Sequence, residues 1–197
     1  MSAPSLTVCF ALPAWTDDFV AEAPRAFPDE TARMAFVIGA ARRNIAAGTG
    51  GPFAAAVFET VSGKLVAPGV NLVTSQNLSM LHAEMVALAL AQRRLGTYDL
   101  GRPDLPALEL VTSVEPCAMC LGAIPWAGIR RVLTGARDAD ARRVGFDEGA
   151  KPRAWALALK SRGITVRRDL LRSEAAQVLR DYAAAGGPIY NAEDPRH

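Results

Sequence analysis

Apolar residues first recur at helical spacing in the stretch that follows Asp29. These positions are Met34, Val37, Ile38, Ala41 and Ile45. Steps of three and four residues predict a helix with one buried face, and Asp29 is a suitable N-cap for it. Glycines at positions 48, 50 and 51 end the pattern. Two apolar runs, 52–59 and 64–73, then flank the short turn TVSG, which predicts a β-hairpin.

The pattern changes to alternating helices and strands from residue 82 onwards. Helices are predicted over 82–96, 117–128, 152–163 and 173–185, and strands over 108–112, 130–136 and 164–168. Strands that alternate with helices predict an α/β fold whose sheet is parallel in its later part, with helices on both faces. Residues 1–28 contain four prolines and are predicted to be an irregular N-terminal extension. Residues 29–197 then form one domain.

Composition narrows the class of protein. The chain has 197 residues, of which 50% are hydrophobic and 21% are charged, and its net charge is +2. These values are typical of a soluble globular enzyme and give no reason to expect a nucleic acid or a membrane as partner. The three cysteines favour a reducing compartment, and Arg25 is the first basic residue, so no secretory signal is expected. We therefore expect a cytoplasmic protein.

The stretch EPCAMC contains the first candidate chemistry. Cys117 and Cys120 are three residues apart at the predicted start of a helix, so both sulfurs face one side. The positive end of the helix dipole stabilises thiolates, the form that binds metals. A disulfide, a redox pair, a structural metal and a catalytic metal are all compatible with this pair alone.

His82 favours a metal. Two crossover helices on one face of a sheet begin at the same edge, so His82 and the cysteine pair are expected to converge there. One imidazole and two thiolates are typical of zinc, and three ligands leave one position for water. Glu84 is placed to move that water's proton. A structural zinc module would need a fourth ligand, Cys9 or His197, and neither this alternative nor a thiol oxidoreductase explains Glu84.

Together these motifs resemble the cytidine deaminase-like superfamily and, within it, the bacterial guanine deaminases. The matching stretches are GGPFAAAVF (50–58), GVNLV (69–73), HAE (82–84), TSVEPCAMCLGAIPWAGIRRV (112–132), GFDEG (145–149) and IYN (189–191). The HAE and PCxxC combination is the signature of zinc deaminases. The resemblance implies a three-layer α/β/α sandwich around a five-stranded mixed sheet, a homodimer, a zinc ion held by His82, Cys117 and Cys120, and hydrolytic removal of an amino group with Glu84 as proton carrier.

The resemblance also implies a substrate, guanine, which would be converted to xanthine and ammonia in purine metabolism. Glu148 of GFDEG would be a second proton-handling group, and IYN would help to close the site. The chemistry of individual side chains predicts the substrate-binding residues. Asn71, near the end of the predicted second strand, has an amide that can donate to and accept from a purine edge, and Phe53, Trp126 and Phe146 are candidates to stack on the base. Asp147, the other carboxylate of GFDEG, completes this set. Alternatives are ammeline, cytosine or tRNA adenosine as substrate, although the small net charge argues against tRNA.

Overall fold

The computed structural model describes residues 7–191 and contains, over that range, eight helices and five strands. The helices are α1 (Trp15–Ala21), α2 (Glu30–Ala46), α3 (Val73–Gln76), α4 (Ala83–Leu95), α5 (Ala118–Trp126), α6 (Asp138–Arg143), α7 (Trp155–Lys160) and α8 (Arg172–Ala184). The strands are β1 (Ala54–Glu59), β2 (Leu65–Val70), β3 (Leu108–Val114), β4 (Arg131–Ala136) and β5 (Thr165–Arg167). No helix in this part of the chain is long and apolar enough to cross a bilayer.

The five strands form one mixed sheet in the order β2-β1-β3-β4-β5. Strand β1 is antiparallel to both β2 and β3, whereas β3, β4 and β5 are parallel to one another. The β1–β2 hairpin and the parallel later part were both predicted, and both are confirmed. Because β3 is central and covered on both faces, every residue along it is buried.

Helices cover both faces of the sheet. Along β1, Ala54, Ala56 and Phe58 pack into one apolar cluster and Ala55 and Val57 into the other, as the alternation of a strand requires. The first cluster includes side chains of α2 and α8, and the second includes those of α4, α5 and α7. The predicted α/β/α sandwich is confirmed.

The N-terminal segment is more ordered than predicted. Irregular structure was expected over 1–28, but Trp15–Ala21 forms α1, because Pro13 and Pro24 lie on either side of the helix and not within it. Phe19 packs against Phe36 of α2 with ring centroids 4.9 Å apart. Helices α3 and α6 were not predicted either. Residues 1–6 lie outside the described part, and the domain boundary at residue 29 stays a prediction.

A buried ion network lies at the edge of the sheet where β3 and β4 begin. Glu109 of β3 is fully buried and accepts hydrogen bonds from Arg33 of α2 and Arg131 of β4. Arg131 also pairs with Glu30. Since a buried carboxylate needs paired charges around it, this network joins α2 to the two central parallel strands.

Candidate metal centre and active site

Two helix N-termini meet at the opposite edge of the sheet, where β3 ends. His82 is the N-cap of α4 and Cys117 is the N-cap of α5, and both have extended backbone there. The ligand atoms of His82, Cys117 and Cys120 all lie within 4.8 Å of one another, and His82 Nδ1 is 3.5 Å from Cys117 Sγ. The predicted convergence of the imidazole and the two thiols is therefore present.

The protonation of this cluster suits a metal site. A hydrogen bond from Cys120 lowers the pKa of Cys117 to about 4, and the nearby His82 adds to this effect. The pKa of Cys120 is raised, because this thiol donates to Cys117 and is buried. Burial lowers the pKa of His82, but the hydrogen bond and charge of Cys117 outweigh it, so the net shift is upward. The lowered pKa favours the thiolate form of Cys117, the form that binds metals, and the donor set of one nitrogen and two sulfurs fits zinc.

Glu84 lies in the first turn of α4, beside the cluster. Its Oε1 accepts a hydrogen bond of 3.1 Å from the hydroxyl of Thr112 on β3, and its Oε2 lies 3.4 Å from the sulfur of Cys120. Burial, followed by the negative charge of Cys117, raises the pKa of Glu84. A buried carboxyl with a raised pKa is suited to accepting a proton near neutral pH. Thr112 was not singled out from the sequence.

A cavity opens above these groups. It is lined by His82, Glu84 and Cys117, and also by the predicted residues Asn71 and Glu148. Asn71 is 1% exposed. Its Oδ1 accepts a hydrogen bond of 3.3 Å from the backbone N–H of Val73, whereas its Nδ2 has no acceptor among the described residues. A buried amide donor without a partner indicates a place for a ligand acceptor.

Glu148 supplies the second carboxyl group of the cavity. It is 5% exposed. Burial, together with the negative charges of Cys117 and Glu84, raises its pKa to about 8, although Lys151 opposes the shift. Asp147 also lines the cavity, but its carboxylate turns towards its own loop, where it accepts from Gly149 N–H at 2.9 Å and pairs with Arg142 at 3.5 Å.

Two aromatic rings form a wall of the cavity. Phe53 and Phe146 meet edge to face with centroids 4.8 Å apart. Both were predicted to contact a base, and the structure places both at the cavity.

Comparison with known proteins identifies the family. Residues 28–136 match the family described as the cytidine and deoxycytidylate deaminase zinc-binding region. The chain belongs to this family. Its membership confirms the predicted superfamily, the zinc cofactor and the class of enzyme, a zinc-dependent hydrolytic deaminase. A disulfide, a redox pair and a structural zinc module are thereby set aside. Of the two candidate fourth ligands for such a module, Cys9 is exposed and lies outside the metal cluster, and His197 is beyond the described residues.

Individual relatives of this deaminase are similar over different lengths. The guanine deaminase of Bacillus subtilis is 43% identical over 102 residues, which span 52% of this chain and 61% of that protein. The tRNA-specific adenosine deaminase of Buchnera aphidicola is 30% identical over 60% of this chain and 72% of its own. The solved guanine deaminase of Nitrosomonas europaea has a TM-score of 0.87 and 46% identity over 93% of this chain and 100% of that chain.

Trp126 is the predicted site residue that the deaminase fold does not bring to the cavity. Its side chain is 86% exposed at the end of α5. Nine residues separate it from Cys117, about 2.5 turns of helix, so it projects from the face opposite to that ligand. The predicted stacking of Trp126 on a base in this cavity is therefore wrong.

The C-terminal residues of the deaminase reach the cavity. Tyr190 and Asn191 both line it. The side chain of Asn191 accepts from the N–H of Asp147 at 2.9 Å and donates to the carbonyl of Gly145 at 2.8 Å, which fixes the C-terminal segment to the GFDEG loop. Val73, Ser79, Val114 and Glu115 line the cavity too and were not predicted. Of these, Val73 belongs to the stretch GVNLV, and Val114 and Glu115 directly precede the cysteine motif, so three of the four lay in stretches that match the family.

Proposed function

We propose that this deaminase converts guanine to xanthine and ammonia. The observation that carries the proposal is the second buried carboxyl group, Glu148, which faces the same cavity as Glu84 and the metal cluster. The similarity to the guanine deaminases of Bacillus subtilis and Nitrosomonas europaea supports the same substrate.

The catalytic groups divide the proton transfers between them. His82, Cys117 and Cys120 would hold the zinc ion, which when bound supplies the Lewis acidity that makes water nucleophilic near neutral pH. Glu84 takes a proton from the attacking water and delivers it to the ring nitrogen beside the amino-bearing carbon C2 of guanine. The amino group then needs a second proton before ammonia leaves. This proton comes from the hydroxyl added at C2, which becomes the carbonyl of xanthine, and Glu84 or Glu148 carries it to the amino group.

Hydrogen-bond complementarity selects guanine. The amino group and N1–H of guanine are adjacent donors, and an ionised Glu148 accepts from both. Such donors stabilise the charged form and so lower the pKa of Glu148 from about 8 once the base is bound. Asn71 Nδ2 donates to an acceptor on the purine edge. Cytosine and adenine present an acceptor beside their amino group, which would leave the buried carboxylate unpaired.

A panel of substrates tests this proposal. Ammonia release is measured for guanine, ammeline, cytosine, guanosine and tRNA with wild type, Glu148→Gln and, as a matched control, Glu174→Gln at an exposed position of α8. We expect guanine to be the best substrate and ammeline the second. Glu148→Gln should keep its zinc and lose about 100-fold in guanine turnover, whereas the control keeps wild-type rates. Strong activity on tRNA or cytosine with none on guanine would contradict the proposal.

We also infer a homodimer that acts on a free nucleobase of purine metabolism in the cytoplasm, with no nucleic acid or membrane as partner. Tyr98 and Trp126 are 84% and 86% exposed, and with Met85 they line a shallow groove beside α4 and α5. Exposed aromatic groups of this kind are enriched in interfaces.

The free state of the three cysteines supports the reducing compartment.

A further inference from the structure

Asn44 connects two segments of the cavity wall from behind. It is fully buried near the end of α2. Its Nδ2 donates to the carbonyl of Asn71 at 2.9 Å and to the carbonyl of Gly51 at 3.0 Å. Asn71 follows β2 and Gly51 precedes β1, so one side-chain amide fixes the spacing of both segments.

The oxygen of the Asn44 amide is linked through Thr49 to Trp15 of the N-terminal helix α1. Thr49 Oγ1 donates to Asn44 Oδ1 at 2.7 Å, and Trp15 Nε1 donates to Thr49 Oγ1 at 3.0 Å. The two carbonyls that accept from Nδ2 fix the orientation of the Asn44 amide, so its Oδ1 faces Thr49. The Thr49 hydroxyl accepts from the indole N–H, which can only donate, and its own proton has Asn44 Oδ1 as the nearer acceptor, at 2.7 Å against 3.3 Å to the Asn44 carbonyl. The amide of Asn44 is therefore held with Nδ2 towards Asn71, and bonds that run in one direction reinforce one another.

The atoms around these hydrogen bonds are tightly packed. A Cβ atom on Gly50 would lie 1.9 Å from the carbonyl oxygen of Asn71 and 2.8 Å from Asn44 Nδ2. The side chain of Asn71 has little support of its own, since its Oδ1 makes one long bond to Val73 and its Nδ2 has no acceptor among the described residues. The position of that amide depends on the backbone of Asn71, which Asn44 holds at the carbonyl and Phe53 at the N–H, with distances of 2.9 Å and 3.0 Å.

We propose that Trp15, Thr49 and Asn44 are positioning residues that hold Asn71 in the orientation needed to bind the substrate base. The N-terminal helix thus takes part in substrate binding although Trp15 does not line the cavity. This inference rests on the proposed function, which assigns the base contact to Asn71. A group that holds the ring without moving a proton affects binding, so the relay should act on KM and leave kcat almost unchanged.

Variants of Thr49 and Trp15 test the relay. Thr49→Val keeps the shape of the side chain and removes the hydroxyl, and Thr49→Ser keeps the hydroxyl. Trp15→Phe keeps an aromatic ring next to Phe19 and removes the N–H. We expect Thr49→Val and Trp15→Phe to raise KM for guanine by about threefold to tenfold, the effect of losing a hydrogen bond, with kcat within about twofold and zinc content unchanged. Thr49→Ser keeps the hydroxyl and should therefore have the same KM as wild type. Unchanged KM in both Thr49→Val and Trp15→Phe, or a fall in kcat alone, overturns the inference.

Binding measurements separate this inference from the proposed function. Guanine is titrated calorimetrically in a Glu84→Gln background, which prevents turnover. We expect Asn71→Ala to weaken binding and Thr49→Val to add no further loss when combined with it, because both act through one contact. If Asn71→Ala binds guanine more weakly but Thr49→Val binds it like wild type, the relay is refuted and the contact between Asn71 and the base stands. Wild-type binding in Asn71→Ala refutes the role of Asn71 and the relay with it. If the wild-type protein does not turn over guanine, the proposed function is refuted. The calorimetric titrations still test the relay in that case.

Discussion

The hydroxyl of Thr112 donates a hydrogen bond of 3.1 Å to Oε1 of Glu84, across the gap between β3 and α4. This bond holds the carboxylate that moves protons in the proposed reaction. We expect Thr112→Val to lower kcat by about tenfold with little change in KM, because the carboxylate loses its orientation while the base contacts remain. Thr112→Ser should stay near wild type. Steady-state ammonia release measures both variants, and equal kcat in Thr112→Val and wild type would refute this role.

Removing the charge of Glu84 should separate catalysis from metal binding. Glu84→Gln keeps the shape of the side chain but cannot carry a proton, so we expect turnover to fall by about 10²–10⁴-fold. Zinc content should not change, because Glu84 is not one of the three clustered donors. Elemental analysis and ammonia release on the same preparation test this. A variant that retained half of the wild-type rate would exclude Glu84 as the proton carrier.

The cysteine ligands should couple zinc to stability. Cys120→Ser and Cys117→Ser replace a thiolate with a hydroxyl, which is a poor zinc ligand, so we expect loss of bound zinc and a lower melting temperature. Cys9→Ser is the matched control, because Cys9 is exposed and lies outside the cluster. One zinc per chain in wild type and in Cys9→Ser is the expected result of elemental analysis. Active wild-type protein without zinc would end this interpretation.

Asp140 should stabilise the fold in a pH-dependent way. Hydrogen bonds from Arg172 of α8 lower the pKa of Asp140 below its ordinary value of 3.8. A lowered pKa in the folded state means that the stabilisation is present above pH 3.8 and is lost as the pH falls through the folded value. We expect Asp140→Asn to reduce the free energy of unfolding by about 1–2 kcal/mol at pH 7, and by less at pH 3.

Urea unfolding at pH 7, 5 and 3 measures this difference. The control is Asp104→Asn, because Asp104 pairs with Arg102 and both side chains are about half exposed, so its removal should cost little at any pH. A loss for Asp140→Asn that did not shrink on acidification would contradict the assignment to ionisation.

The groove lined by Tyr98 and Trp126 should form the contact of the proposed homodimer. We expect Trp126→Glu to shift the protein to a monomer in sedimentation experiments, because a charge would be buried in an apolar contact. Val61→Glu is the control, since Val61 is 93% exposed on the β1–β2 turn, away from this groove. A monomeric wild type, or a Trp126→Glu protein that remained a dimer, would exclude this groove as the contact.

The parts of the fold that could be predicted are those with a local cause. Asp29 accepts a hydrogen bond of 2.8 Å from the N–H of Ala32, as an N-cap does, so the start of α2 could be predicted from a few residues. His82 and Cys117 were placed correctly because both stand at helix starts after strands or turns. Helix α1 was not predicted, because four prolines in residues 1–28 favour irregular structure, whereas the interval between Pro13 and Pro24 is long enough for Trp15–Ala21 to be helical.

The rest of the site depends on contacts that are remote in sequence. Thr112 reaches Glu84 across 28 positions, and no pattern around either residue signals the contact. Trp126 lies at the far end of α5 and is exposed, because the rotation of the helix over nine positions turns it away from the side of Cys117. The amide of Asn71 was singled out, but its support by Asn44 could not be seen before β1, β2 and α2 were assembled.

The ion network around Glu109 implies a pattern of substitution among relatives of this protein. Replacing Glu109 alone would strand the guanidinium of Arg33, whose side chain is 6% exposed, without its counter-charge. A change of Glu109 alone is therefore unfavourable, whereas a joint exchange of Arg33 and Glu109 for two apolar residues of similar volume is tolerable. If Arg33 alone is replaced, Glu109 still pairs with Arg131. Homologues that lose Glu109 should accordingly lose Arg33 as well, and an alignment should show few chains that keep Arg33 without an acid at position 109.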